Sequence, residues 1–352
     1  MVKRPFGALL DIMTPDSPDN NKSRHNPLGS TKIFTPARVV SLPVSTWIRQ
    51  RFIEHFENLK TLSGKEENRS HIVAALGEDG SFSYASRMVT EKKCTDIILG
   101  RHPSCQIALQ ADPSISLRHL LVRIYHRPKQ KPIVKILDLH SEIGFYDESG
   151  TKVTALKCEG LFFIKVGQYA VFIFENDNVL TPLDALDGWN NLPSREIIDM
   201  RAQDTPQAPK PHINPRLRLV AEDERPITFV TRVVGPMHLG NLSKTDERAI
   251  GFLLISGNTM DHSIPFSSAA LARGVLIGRY TRCDIGYQEV PFSINISRIQ
   301  LMLLLDETGF WAIDTASTNG NLFQNKPFHS ILLNDGAEIS MANEYILRWR
   351  TA

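Results

Sequence analysis

The sequence predicts a mainly β protein: two antiparallel β-sandwiches, preceded by a disordered N-terminal tail and a short helical segment. Three observations carry that prediction. From residue 70 onward, short runs rich in β-branched and aromatic residues alternate with turn residues. No amphipathic helix long enough for a βαβ crossover lies between these runs, which favours antiparallel sheets over a parallel one. The strand-rich part also repeats itself, block by block and in order. The length of 352 residues is enough for two domains, and 42% apolar with 22% charged residues is ordinary globular composition. Basic and acidic counts of 40 and 38 leave a formal charge of +2, so no global bias advertises a nucleic-acid or membrane binder.

Taken in order, residues 1–69 hold the tail and one helix. Residues 1 to 45 are rich in Pro, Asn, Ser and Asp and sustain no apolar period, so burial cannot offset their ordering entropy. Ile48, Phe52, Phe56, Leu59 and Leu62 then recur at spacings of three and four, predicting a helix that opens at Ser45 and docks its apolar stripe on a neighbouring domain. Residues 70–180 form the first sandwich, with strands at His71–Leu76, Ile97–Leu99, His119–Tyr125, Ile133–Leu139 and Phe162–Phe174. Glu78-Asp79-Gly80 and Glu148-Ser149-Gly150 mark turns. Residues 181–215 read as a Pro-rich, semi-rigid linker interrupted by a short helical stretch at Ser194–Ala202. Residues 216–352 form the second sandwich with an N-terminal extension. Its strands are expected at Ile227–Val234, Gly251–Ile255, Val275–Ile277, Ile299–Leu305, Phe310–Ile313 and Tyr345–Trp349.

The repeat is specific. Gly100-Arg101 matches Gly278-Arg279, and Cys105 and Ile107 match Cys283 and Ile285. Ser116-Leu117-Arg118-His119 matches Ser297-Arg298-Ile299-Gln300, and Asp138 through Gly144 matches Asp314 through Gly320. The offsets are 178, 181 and 176 residues, so the copies differ only by small loop-length changes. This ordered set, Gly-Arg, then Ser-x-x-His, then Asn-Gly, resembles the forkhead-associated (FHA) domain, a phosphothreonine-binding β-sandwich.

What the resemblance implies agrees with the chemistry of the residues. Phosphothreonine presents nearly two negative charges and three acceptor oxygens. Arg279 offers a guanidinium fork suited to phosphate, Ser297 and Thr318 offer hydroxyl donors, and Arg298 a second positive charge. Asn319 is expected to orient the peptide main chain, and Ser317 belongs to the same set. Gly278, Gln300 and Gly320 support the loops, Gln300 standing where the family has histidine. The first copy offers a weaker second site at Arg101, Ser116 and Arg118, supported by Gly100, His119 and Gly144. Glu142-Ile143 replaces Thr-Asn there; glutamate repels phosphate, and isoleucine cannot hydrogen-bond a peptide.

Other signals carry less. Gly235-Pro-Met-His-Leu-Gly240 lacks the lysine of a phosphate-binding loop. The four cysteines have no zinc spacing and read as buried thiols, and the histidines form no metal motif, so no cofactor or metal is expected. Arg127, Lys129 and Lys131 read as a solvated hairpin. The expected function is a non-enzymatic, cytoplasmic signalling adaptor, without catalytic residues, that binds phosphothreonine-containing proteins and sits in a Ser/Thr kinase pathway. Neither nucleic acid nor membrane is an expected partner. The alternative is a phosphate-independent scaffold or dimerisation protein built from degenerate FHA domains. Thr14-Pro15, Thr35-Pro36 and Thr205-Pro206 leave self-association open beside their plainer reading as turn pairs.

Overall fold

A computed structural model of the chain describes residues 42–63, 70–88, 94–127, 131–176, 180, 184–201, 227–236, 248–257 and 261–352. The N-terminal tail, the three Thr-Pro pairs, Lys129, most of the Gly235–Gly240 stretch and the prolines of 206–215 lie outside these residues. Both sandwiches are present. In the first, one sheet orders the strands Phe82–Met88, Ser70–Gly77, Tyr169–Glu175, Phe162–Val166, Phe145–Asp147 and Lys152–Val153. The facing sheet orders Ser194–Asp199, Ile227–Arg232, Ala155–Glu159, Ile133–Asp138, Leu120–Tyr125, Cys94–Gly100 and Ile107–Ala108. Val73, Val122, Ile136, Phe162 and Val171 are among the buried side chains between them. In the second sandwich, the sheet carrying Gly251–Ser256, Glu338–Met341 and Tyr345–Thr351 faces the one carrying Val275–Ile277, Leu301–Asp306, Gly309–Asp314 and Ser330–Leu332.

The apolar stripe of the N-terminal segment is buried as its spacing predicts, with Ile48, Phe52, Phe56, Leu59 and Leu62 all in one cluster. The single predicted helix is two, Val44–Glu54 and Phe56–Ser63, broken at His55, whose ring bonds the Gly77 carbonyl at 3.0 Å. These helices cover the outer face of the first sheet, where Ile72, Ala74, Leu76, Phe163 and Phe172 point away from the sandwich core. Every residue of Ser70–Gly77 is therefore buried, because both faces of that strand are covered.

Two expectations for the middle of the chain are corrected. Ser194–Asp199 is a β-strand, not a helical stretch, and it pairs in parallel with Ile227–Arg232. Arg195, Ile197 and Ile198 are half-buried and Glu196 is exposed at the sheet edge, so sheet pairing overrides local helix propensity. The segment read as linker also holds the helix Ala185–Asn190, capped by the Asp184 carboxylate accepting from the Asp187 N–H at 2.8 Å. Ile227–Arg232, expected with the second sandwich, instead pairs antiparallel with Ala155–Glu159 of the first. Arg232 secures it by pairing with Asp147 at 2.6 Å, and Arg195 pairs with Glu148 at 3.0 Å.

The two sandwiches pack directly against each other. Along Leu120–Tyr125, residues 120, 122 and 124 enter the sandwich core, while Leu121 joins a second buried cluster with Ile98, Leu137 and Leu139. That cluster continues into Leu276, Met302, Leu304 and Ile313 of the second sandwich. Ile98 and Leu276, Cys105 and Cys283, Leu121 and Met302, and Leu137 and Ile313 are repeat equivalents, so the same face of each copy meets the other.

At the edge of this interface the Arg123 guanidinium is fully buried. It reaches Asp96 of its own sandwich at 2.8 Å and Asp306 of the other at 2.9 Å, and lies 4.7 Å from the Trp311 ring centroid. Burial works against its charge, but Asp96 and Asp306 outweigh that and raise its pKa. The four cysteines are free and buried, and desolvation pushes the thiols of Cys105 and Cys283 up to about 11 and about 12. Among the described residues no helix is long and apolar enough to cross a membrane, and no group of three His, Cys, Asp or Glu is placed to hold a metal ion.

Candidate functional site

The repeat recurs as one hydrogen-bond scheme built twice. In the first copy the Arg101 N–H donates to Ser116 O at 3.0 Å and the His102 N–H to Leu117 O at 3.0 Å. In the second, the Arg279 N–H donates to Ser297 O at 3.2 Å and the Tyr280 N–H to Arg298 O at 3.1 Å. Each glycine before the arginine permits this approach. A Cβ on Gly100 would lie 2.4 Å from Leu117 O, and one on Gly278 would lie 2.4 Å from Arg298 O. The Cys105 and Cys283 thiols donate to those same two carbonyls, at 3.3 and 3.1 Å.

His119 and Gln300 hold equivalent places with equivalent bonds. The Ser116 N–H donates to His119 Nδ1 at 3.1 Å, which leaves Nε2–H to donate to Gly144 O at 2.9 Å. The Ser297 N–H donates to Gln300 Oε1 at 2.8 Å, and Gln300 Nε2 donates to Gly320 O at 2.9 Å. Glutamine thus reproduces both bonds of the histidine, and the departure at position 300 leaves the loop braced. Desolvation holds His119 below its ordinary pKa, with the Gly144 carbonyl opposing. The fold therefore keeps it neutral while the unfolded chain protonates near pH 6.5. Its contribution to stability is complete above that pH and is lost as pH falls toward the depressed folded value. His119→Gln is expected to flatten this acid-side loss of stability below about pH 6.5, measured by urea unfolding, and to cost under about 1.5 kcal/mol at pH 7.5.

The second-copy site residues lie on neighbouring loops at one rim, with one exception. Ser297 is buried, and its Oγ accepts from the Thr318 N–H at 2.9 Å and lies 3.3 Å from Thr318 Oγ1. Arg279, Arg298, Thr318 and Asn319 are exposed at the rim. Among the described residues Arg279 and Arg298 have no carboxylate partner, so both charges are available to an anion. Asn319 Nδ2 donates to the Asn295 carbonyl at 2.7 Å, joining two loops. Ser317 is the exception: its hydroxyl donates to Asp314 at 2.6 Å and its N–H to the same carboxylate at 2.9 Å. It braces the loop from within, and its first-copy equivalent Ser141 does the same on Asp138. Burial raises the Asp138 pKa to about 7, against the Ser141 bonds.

Arg118 lies where the sequence did not place it. It is buried and crosses the interface, donating from Nε to Thr315 O at 2.9 Å and from Nη2 to Ala316 O at 2.6 Å. Nη2 also lies 3.5 Å from Ser297 Oγ and 3.4 Å from Thr318 Oγ1. The first sandwich thus sets a guanidinium beside the hydroxyl pair of the second. In turn, Arg298 and Arg282 of the second sandwich line a cleft of about 180 Å³ with Arg101, Ser116 and Arg118 of the first. Glu142 lies in the same cleft, exposed and 3.6 Å from Arg282. Sequence reasoning missed Arg282 and both crossings. A signal did exist: Arg118 aligns with Ile299 and Arg298 with Leu117, so each copy carries an arginine where the other is apolar.

Residues 275–342 match the family model for the FHA domain. No curated protein matches the chain. Solved structures similar to it include Mycobacterium tuberculosis Rv1747 FHA-1, 22% identical over 30% of this chain and 99% of that one, with a TM-score of 0.24. Mycobacterium tuberculosis EmbR in complex with a low-affinity phosphopeptide is 22% identical over 29% of this chain and 24% of that one, with a TM-score of 0.24. The FHA1 domain of yeast Rad53 is 17% identical over 31% of this chain and 82% of that one, with a TM-score of 0.25. With the glycine–arginine approach and the paired serine and threonine hydroxyls in place, residues 275–342 form an FHA domain.

Proposed function

We propose that the chain is a non-enzymatic adaptor that binds phosphothreonine-containing segments of other proteins, chiefly through its second sandwich. The FHA family is a phosphopeptide-recognition module and generally non-enzymatic. The observation that carries the reading is the placement of exposed Arg279 with Ser297, Thr318 and Asn319 on converging loops. A phosphate seated there meets a guanidinium fork and two hydroxyls, while Asn319 stands ready for the peptide main chain. Three or four charge-assisted bonds, less the cost of ordering a peptide, correspond to roughly micromolar affinity. A Ser/Thr kinase must then act on the partner. Self-association through the chain's own Thr-Pro pairs is a further route to such a ligand.

The first sandwich reads as a second FHA copy with a weakened site of its own, since Ile143 replaces the asparagine. A phosphate-independent scaffold is the second reading, and the burial of Arg118 against the loop carbonyls favours it, because that loop is satisfied without a ligand. A phosphothreonine peptide library titrated against the full chain separates the two. Selected peptides are expected to bind only when phosphorylated, and Arg279→Ala to weaken them about 10- to 100-fold. Binding that survives phosphatase treatment and Arg279→Ala unchanged would establish the scaffold reading instead.

A further inference from the structure

The cleft between the sandwiches concentrates positive charge, with four arginines and one glutamate among its lining residues. Arg101 and Arg118 come to it from the first sandwich, and Arg282 and Arg298 from the second. The one carboxylate there, Glu142, is mostly solvated and pairs with Arg282 alone. Among the described residues Arg101 and Arg298 have no ion-pair partner. Burial holds Arg118 below its ordinary pKa, with Arg298 adding to the effect and Asp314 opposing it. Four arginines lining about 180 Å³ make a site for a dianion, large enough for a phosphate on its side chain and lined also by the donor Ser116.

The cleft adjoins the hydroxyl pair of the second sandwich through shared residues. Arg118 lines the cleft and lies 3.4 Å from Thr318 Oγ1, and Arg298 directly follows Ser297. An extended peptide advances about 3.3–3.6 Å per residue, so neighbouring phosphorylated residues on one segment can reach both places. We propose that the cleft is a composite second phosphate site, completed only by both sandwiches, and that the preferred ligand is one segment carrying two phosphorylated residues a few positions apart. This inference rests on phosphothreonine binding at the second sandwich. Glu142 then occupies Arg282 when the cleft is empty and gives way to the phosphate, a local competitor in the place where the first copy lacks its threonine.

The test uses the full chain and peptides built on a fixed phosphothreonine, with a second phosphorylated Ser or Thr placed one to four positions to either side, and inorganic phosphate as a separate probe. At the best spacing the doubly phosphorylated peptide is expected to bind at least about tenfold tighter than the singly phosphorylated one. Arg101→Ala and Arg282→Ala, both at accessible side chains, are expected to bring that ratio to about one, and Glu142→Gln to raise it. A ratio near one in the unmodified chain, with single-phosphate binding still weakened by Arg279→Ala, would overturn the composite site and leave the proposed function intact. Loss of all phosphate dependence would overturn the proposed function itself. Arg101-dependent binding of inorganic phosphate without any gain for doubly phosphorylated peptides would make the cleft a free-anion site and overturn the peptide assignment.

Discussion

Arg123→Met is expected to destabilise the protein by about 3–5 kcal/mol, read as a fall in the urea midpoint. Methionine keeps the apolar stem and much of the packing on Trp311, so the loss reports charge, not volume. What remains is two carboxylates, Asp96 and Asp306, 4% and 5% exposed, with no cation between them. Burying both without a cation is a large electrostatic penalty. Because Asp306 belongs to one sandwich and Asp96 to the other, the variant should also loosen the pair, turning one unfolding transition into two. Replacing all three together, Arg123→Met with Asp96→Asn and Asp306→Asn, should recover most of the loss, since no buried charge is then left unpaired. A midpoint unchanged by Arg123→Met would show that the triad contributes nothing to docking.

Arg118→Ala is expected to lower stability by about 3–5 kcal/mol and, in protein still folded by circular dichroism, to weaken phosphothreonine peptides about tenfold. The stability term follows from the Thr315 and Ala316 carbonyls, which are buried and lose a charged donor. The binding term follows from the guanidinium 3.5 and 3.4 Å from the Ser297 and Thr318 hydroxyls. A residue of the first sandwich thereby sets affinity in the second. Arg118→Lys separates the two roles: it keeps the charge but cannot fork across two carbonyls. If its binding falls as far as that of Arg118→Ala, the fork and not the charge supports the site.

Periodicity and turn residues made the strands legible where burial is one-sided or flanks are clear: Val275–Ile277 lies where the spacing put it, and Leu301–Asp306 begins two residues later than expected. The repeat made the loop residues legible as well, because Gly278, Ser297 and Gln300 do local jobs over short sequence distances. What the sequence hid was set by contacts between segments separated in the chain, by 33 residues in one case and nearly 200 in others. Ser194–Asp199 has helix-compatible residues and became a strand because Ile227–Arg232 offered it an edge. Leu121, Met302 and Leu304 look like surplus apolar residues on a solvent face until the partner sandwich covers them. Arg118 reads as a phosphate ligand of its own copy by spacing alone, and only the packing of the two copies turns it across the interface.

Phosphothreonine recognition by the second sandwich is tested most directly by amide chemical-shift mapping of the full chain during titration with a selected phosphothreonine peptide. Saturable shifts centred on Arg279, Ser297, Thr318 and Asn319 are expected, absent with the unphosphorylated peptide and needing about 10- to 100-fold more peptide in Arg279→Ala. Shifts that ignore phosphorylation, or that cluster away from these loops, would contradict it.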